Sequence, residues 1–219
     1  MPDPAARETP APQVSPDNPC PFLRALVAGD YVGGHTVPLP ELTGTIGRAT
    51  GKTGVAGAIA RAKIFVVAQG ANGFGPFSQL RNLLQGATLD QLRNGPLDKH
   101  GAGSRILDQH AVAHQDEIER LASYGKDFKG PDGSVERGLS ASDIKSFMAD
   151  NFTRAKQEHP PSYAILRCHY PLLMLGEWPV LLDIMGKGEG NDRYLSVAEV
   201  RTLFVERRFP DRIVALLNG

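Results

Sequence analysis

The 219-residue chain is long enough for one domain with a sizeable core, and its 41% hydrophobic content fits that reading. Lysine plus arginine equal aspartate plus glutamate at 24 each, so no net field draws the chain to nucleic acid or an anionic membrane, and a small-molecule or protein partner is expected. Two cysteines, Cys20 and Cys168, are too few for a disulfide scaffold; two thiols, or one bridge between them, both fit the count.

Residues 1–17 form a Pro-rich arm expected to be disordered, ahead of a single domain over 18–219. No basic stretch leads into an apolar run, so no secretory signal is read and a cytoplasmic location is expected, although a secreted mature form would look the same. Pro21 stands where a first helical turn tolerates a missing N–H, which predicts a helix over Phe22–Ala28. The Gly- and Pro-rich stretch from Asp30 to Gly54 reads as loop, with a short helical turn within PLPELTGTI.

Apolar residues at helical spacing predict a helix over Ala56–Gln69, another capped by Ser78, and a turn from Thr88. The same spacing covers Leu107–Tyr124. Ser140 with Asp143 three residues on opens a helix to about Lys156. HPPSYAILRCHYP reads as an extended link into a buried helix pair within Tyr170–Met185, too short and too charged at Glu177 and Asp183 to span a membrane. Ser196 caps a last helix before Pro210. No alternating β-branched run builds a strand, so the expected fold is all-α: a single-domain, multi-helix bundle with long loops.

Four motif-like stretches carry no chemistry. IGRATGKTG lacks the four-residue spacer and preceding strand of a phosphate-binding loop. DGSVERGLSASD and GKGEGNDRYLSVAE imitate calcium loops, yet Arg137 and Arg193 occupy the position that needs glycine. Cys168 beside His169 lacks the further ligands of a zinc site.

The stretch NPCPFLRAL is different. A cysteine at a helix N-terminus has its thiolate stabilised by the helix dipole and by unpaired N–H groups, and prolines on both sides fix where the sulfur sits. Such a sulfur suits a metal ligand or a nucleophile.

PCPFLRALVAGDYVGGHTVPLPEL resembles the opening of the heme-thiolate peroxidases, the chloroperoxidase and unspecific peroxygenase family. The resemblance implies a chloroperoxidase-like bundle with heme b between helices and Cys20 as the axial iron ligand, whose electron push favours peroxide O–O cleavage. LDKHG, which places His100 at the cofactor, is similar to that family's Leu-Asn-x-His-Gly. ILDQHAVAHQD stands where Glu-His-Asp-Ala-Ser is expected, offering Asp108 for the acidic residue that holds magnesium beside a heme propionate and His110 for the histidine.

SYAILRCHYPLLMLGEWPVLLDIMGKG resembles the lead into the helix that carries the distal glutamate. Glu177 is then the acid-base that moves a proton between the peroxide oxygens, with Arg167, or its rival His169, supporting charge there. Desolvation by Leu175, Trp178 and Val180 is expected to raise the Glu177 pKa. DRYLSVAEVRTLFVERRFPD resembles the family's closing helix.

The implied activity is hydrogen-peroxide-dependent oxidation, oxygenation or halogenation of small organic substrates, with Phe65, Phe74 and Phe77 candidates for an apolar access channel. Two other classes remain open. One is a non-catalytic helical interaction protein that keeps the fold without heme. The other is an enzyme with Cys20 as nucleophile and His35, His100, His110 or His114 as its base.

Overall fold

The computed structural model describes residues 13–69, 72–73, 75–93, 105–130, 133–158 and 177–219, with the backbone alone at 67 and 177. The Pro-rich arm up to residue 12, His100, Phe74, Arg167, Cys168, His169 and Leu175 lie outside them.

The all-α expectation is overturned. Among the described residues, helices are joined by two small antiparallel sheets, so the fold is mixed α/β. In chain order they are α1 (Pro21–Ala28), β1 (Thr36–Val37), α2 (Leu39–Ala49), α3 (Gly54–Gln69), α4 (Pro76–Gln85), β2 (Ala87–Thr88) and a 3-10 turn at Leu89–Gln91. Then come α5 (Gln115–Tyr124), β3 (Lys126–Lys129), β4 (Val135–Ser140), α6 (Ala141–Glu158) and α7 (Glu177–Met185). After a 3-10 turn at Gly190–Asp192 the chain closes with β5 (Tyr194–Ser196), α8 (Val197–Val205) and α9 (Asp211–Asn218).

The first sheet pairs Thr36 with Thr88 and Val37 with Ala87; the second has the order β3-β4-β5. Its strands read KDFK, VERGLS and YLS, with no β-branched alternation to announce them. They are held from outside the strand. Phe128 and Tyr194 stack at 4.3 Å and 11°, and a Cβ on Gly138 in the middle strand would lie 2.4 Å from the Tyr194 ring. Glycine is therefore the residue that lets the two rings meet over β4.

Two helices depart from expectation in length. α2 runs eleven residues where only a turn is read, because Leu39, Leu42, Ile46 and Ala49, all buried, recur at helical spacing and outweigh the poor propensity of its glycines and threonines. α5 begins only at Gln115; residues 107–113 are a loop closed by a bridge between Leu107 and Ala113. Ser78 lies inside α4, whose N-cap is Gly75, and α9 is an additional helix beyond Pro210.

The caps at Ser140 and Ser196 are where local chemistry puts them. Ser140 N–H and Oγ donate to Asp143 Oδ2 at 2.8 and 2.6 Å, and Ser196 Oγ accepts from Glu199 N–H at 3.4 Å.

One hydrophobic core draws on every one of these helices except α4. Trp178 of α7, fully buried, stacks on Phe204 of α8 at 5.7 Å and meets Phe147 of α6 edge-on at 5.5 Å. Phe22 of α1 packs edge-on against Phe209 at 4.8 Å, so the helix that follows Cys20 is anchored on the same core.

Candidate functional site around Cys20

Cys20 is the N-cap of α1, extended at φ −82° and ψ 113°, with Pro21 as the first helical residue. It is half-buried against the core. The turn before it is pinned by its own polar groups: Cys20 N–H donates to Asn18 Oδ1 at 3.2 Å, and Asn18 N–H to the Ser15 carbonyl at 3.3 Å. Asn18 is buried.

Two arginines then grip the turn. Arg24, only 4% exposed on the first turns of α1, donates through Nη1 to the carbonyls of Ser15 at 2.9 Å and Asn18 at 3.4 Å. Arg93 arrives from the far side of the chain, its N–H reaching the Asp17 carbonyl at 2.9 Å and its Nη2 the Pro16 carbonyl at 2.9 Å. The same Arg93 Nη2 donates to the Asp108 carbonyl at 3.3 Å. One guanidinium thus ties the Cys20 turn to the loop that carries Asp108 and His110.

Both arginines keep an idle donor: Nε of Arg24 and Nε of Arg93 are buried without a hydrogen-bond partner. Burial, together with the like charges of Arg207 and Arg93, holds the Arg24 guanidinium below the usual arginine range, and the charge of Cys20 opposes that shift. The sulfur is therefore within electrostatic reach of a buried cation.

Asp108 is committed to its own loop. Its Oδ1 accepts from the backbone N–H of His110 at 2.8 Å and of Val112 at 2.9 Å, and its Oδ2 lies 3.5 Å from His114 Nε2. The Val112 bond foremost holds its carboxyl below the usual carboxylate range; burial opposes it, and the bonds from His110 and His114 add to the lowering. His110 is exposed and its Nε2 lies 3.2 Å from the Gln109 side-chain amide. Among the described residues no three His, Cys, Asp or Glu side chains cluster as metal ligands do.

The described part of α7 begins at Glu177. Of the residues expected to desolvate it, Trp178 is turned into the core and Val180 is exposed. The channel expectation fares similarly: Phe65 packs on the core, while Phe77 stands 86% exposed on α4.

A feature the sequence does not announce flanks the turn. A cleft of about 520 Å³ is lined by Gln13, Ser15, Pro16, Gly34, His35 and Asp90. On its wall His35 Nδ1 lies 2.6 Å from Asp90 Oδ2, an imidazole oriented by a carboxylate 55 residues away in the chain. The β1–β2 pairing, extended by the Leu89 N–H bond to the His35 carbonyl at 2.7 Å, brings the two together.

No family model, curated protein or solved structure matches the chain. Among the described residues no helix is long and apolar enough to cross a membrane.

Proposed function

We propose that the chain is a heme-thiolate peroxidase or peroxygenase that uses hydrogen peroxide to oxidise or oxygenate small apolar or aromatic substrates. The observation that carries the reading is Arg93, which joins the Cys20 turn to the Asp108–His110 loop, two segments that the family resemblance sets on one cofactor. The donor set fits heme b on the Cys20 side. A sulfur fixed at a helix N-terminus suits an axial ligand, and the partnerless buried Nε groups of Arg24 and Arg93 are donors for carboxylates.

When bound, a thiolate-ligated heme supplies the electron push for peroxide O–O cleavage. The chain's own residues do the rest. Pro19, Pro21, Asn18, Arg24 and Arg93 hold Cys20 in place. Glu177 would serve as the acid-base that accepts a proton from the peroxide and returns it. Magnesium is left out of the reading, because Asp108 already directs its carboxylate to His110, Val112 and His114.

The test is the absorption spectrum of the hemin-reconstituted, reduced protein under carbon monoxide. A Soret band shifted far to the red, lost in Cys20→Ser and retained in Glu177→Gln while peroxide consumption falls, is the expected result. A histidine-type band, or no heme uptake, overturns the assignment.

A further inference from the structure

The zero net charge of the chain conceals a sharp division. From Leu42 to Leu89 there is no Asp or Glu, whereas Arg48, Lys52, Arg61, Lys63 and Arg81 give five positive charges, which the remaining residues offset. Lys52 is paired with Asp183. Arg48, Arg61, Lys63 and Arg81 are exposed, and no ion pair among the described residues engages them.

This segment holds α3 and α4, and α4 is built inside out. Its buried residue is a polar one, Asn82, whose amide donates to the Gln69 carbonyl at 2.8 Å, while Phe77, Leu80 and Leu84 are exposed. Spaced by three and four residues, these three side chains share one face. On α3, Val55, Ile59 and Val66 are exposed at spacings of four and seven, which again is one face, and Ala60 and Ala68 are buried. Large apolar side chains gathered on a surface mark an interaction site.

We propose that α3 and α4 form a docking surface for an anionic lipid bilayer, lying in the interface with their apolar side chains among the acyl chains and their cations at the headgroups. Apolar side chains bordered by Arg and Lys without any acid are the composition of an interfacial helix. Charge excludes a second copy of the chain as the better occupant, because a two-fold contact through this face would set cations on cations. A protein partner would need a complementary groove or knob. The clefts of about 520 and 220 Å³ both lie elsewhere, and a bilayer asks for no shape complementarity.

The test uses the full chain and sedimentation with vesicles of phosphatidylcholine alone or mixed with an equal part of phosphatidylserine. Binding to the mixed vesicles and its weakening by salt are expected, with little binding to phosphatidylcholine. Leu80→Asp with Leu84→Asp should lower the partition at least about tenfold, and Arg81→Glu, a change of two charges, by about twenty-fivefold, at about fivefold per unit charge. Both sets of side chains are exposed, and an unchanged far-UV circular dichroism spectrum verifies the fold of each variant.

Equal binding to both vesicles, no binding, or binding that neither variant alters overturns the proposal. Capture by poly-glutamate without vesicle binding assigns the face to an acidic protein. A concentration-dependent dimer abolished by Leu84→Asp, again without vesicle binding, assigns it to a second copy.

Discussion

Glu136 is the residue whose removal should be felt most widely for its size. Its Oε1 accepts from Lys187 Nζ and from the Tyr194 hydroxyl, each at 2.7 Å, and its Oε2 from Ser196 Oγ at 2.6 Å. These bonds clamp β4 to β5 and to the Lys187 loop. Hydrogen bonds to a charged group contribute about 1.5–3 kcal/mol each and do not add fully, so Glu136→Ala should cost about 3–4 kcal/mol. That is a large part of an ordinary domain's 5–15 kcal/mol or so. Glu136→Gln keeps an acceptor for Lys187 and Tyr194 and can donate to Ser196, so only the charge is lost, at about 1–2 kcal/mol.

Burial pushes the Glu136 carboxyl up, but the bonds from Lys187, Ser196 and Tyr194 outweigh it and leave the folded pKa below the ordinary glutamate value. A depressed pKa contributes stability that is complete above the unfolded value and disappears as pH falls through the folded one. The gap between wild type and Glu136→Gln should therefore be open at neutral pH and close in acid. Urea denaturation at pH 7 and across the acid range measures it. An alanine variant within about 0.5 kcal/mol of wild type, the scatter of an ordinary surface change, would refute the reasoning.

Trp178 is the chain's only tryptophan and is fully buried, so Trp178→Ala should lose about 3–5 kcal/mol in chemical denaturation. Trp178→Phe should cost much less, because the indole Nε1 it removes is buried without an acceptor; equal losses for the two would contradict this. Asp143→Ala removes the cap that both Ser140 N–H and Oγ address and should cost about 1–2 kcal/mol, read by thermal unfolding. A smaller effect in Ser142→Ala, whose hydroxyl lies 2.8 Å from Ser140 Oγ, serves as the control.

What was legible in the sequence was local. The Pro-Cys-Pro cap of α1 and the Ser140–Asp143 box depend on residues a few positions apart, and they stand where their chemistry puts them. α2 was legible in principle through Leu39, Leu42, Ile46 and Ala49, but its glycines, threonines and flanking prolines masked the spacing. The β3-β4-β5 sheet was not legible at all. Its clamp is Glu136 reaching donors 51, 58 and 60 residues away, a set that no window along the chain contains. The same holds for the site: NPCP gave the cysteine, whereas Arg93, which fixes that turn from 77 residues beyond Pro16, could not be assigned to it from sequence.

Arg24 separates a brace from a binding group. As a brace it holds the turn through the Ser15 and Asn18 carbonyls, and any loss of those bonds lowers the stability of the protein without ligand. As a binding group it presents a buried Nε that has no partner within the protein, at a cost of about 1–3 kcal/mol that a ligand carboxylate would remove. Arg24→Lys keeps the charge and lacks that donor. A ligand that binds the folded state raises the unfolding temperature by an amount that grows with the logarithm of its affinity, so the rise produced by hemin isolates the second role from the first. The hemin-induced rise in Tm should shrink in Arg24→Lys, by an amount that corresponds to about a tenfold loss of affinity. A variant with lower Tm but an undiminished hemin-induced rise would make Arg24 a brace alone and would remove it from the carboxylate-binding role proposed above.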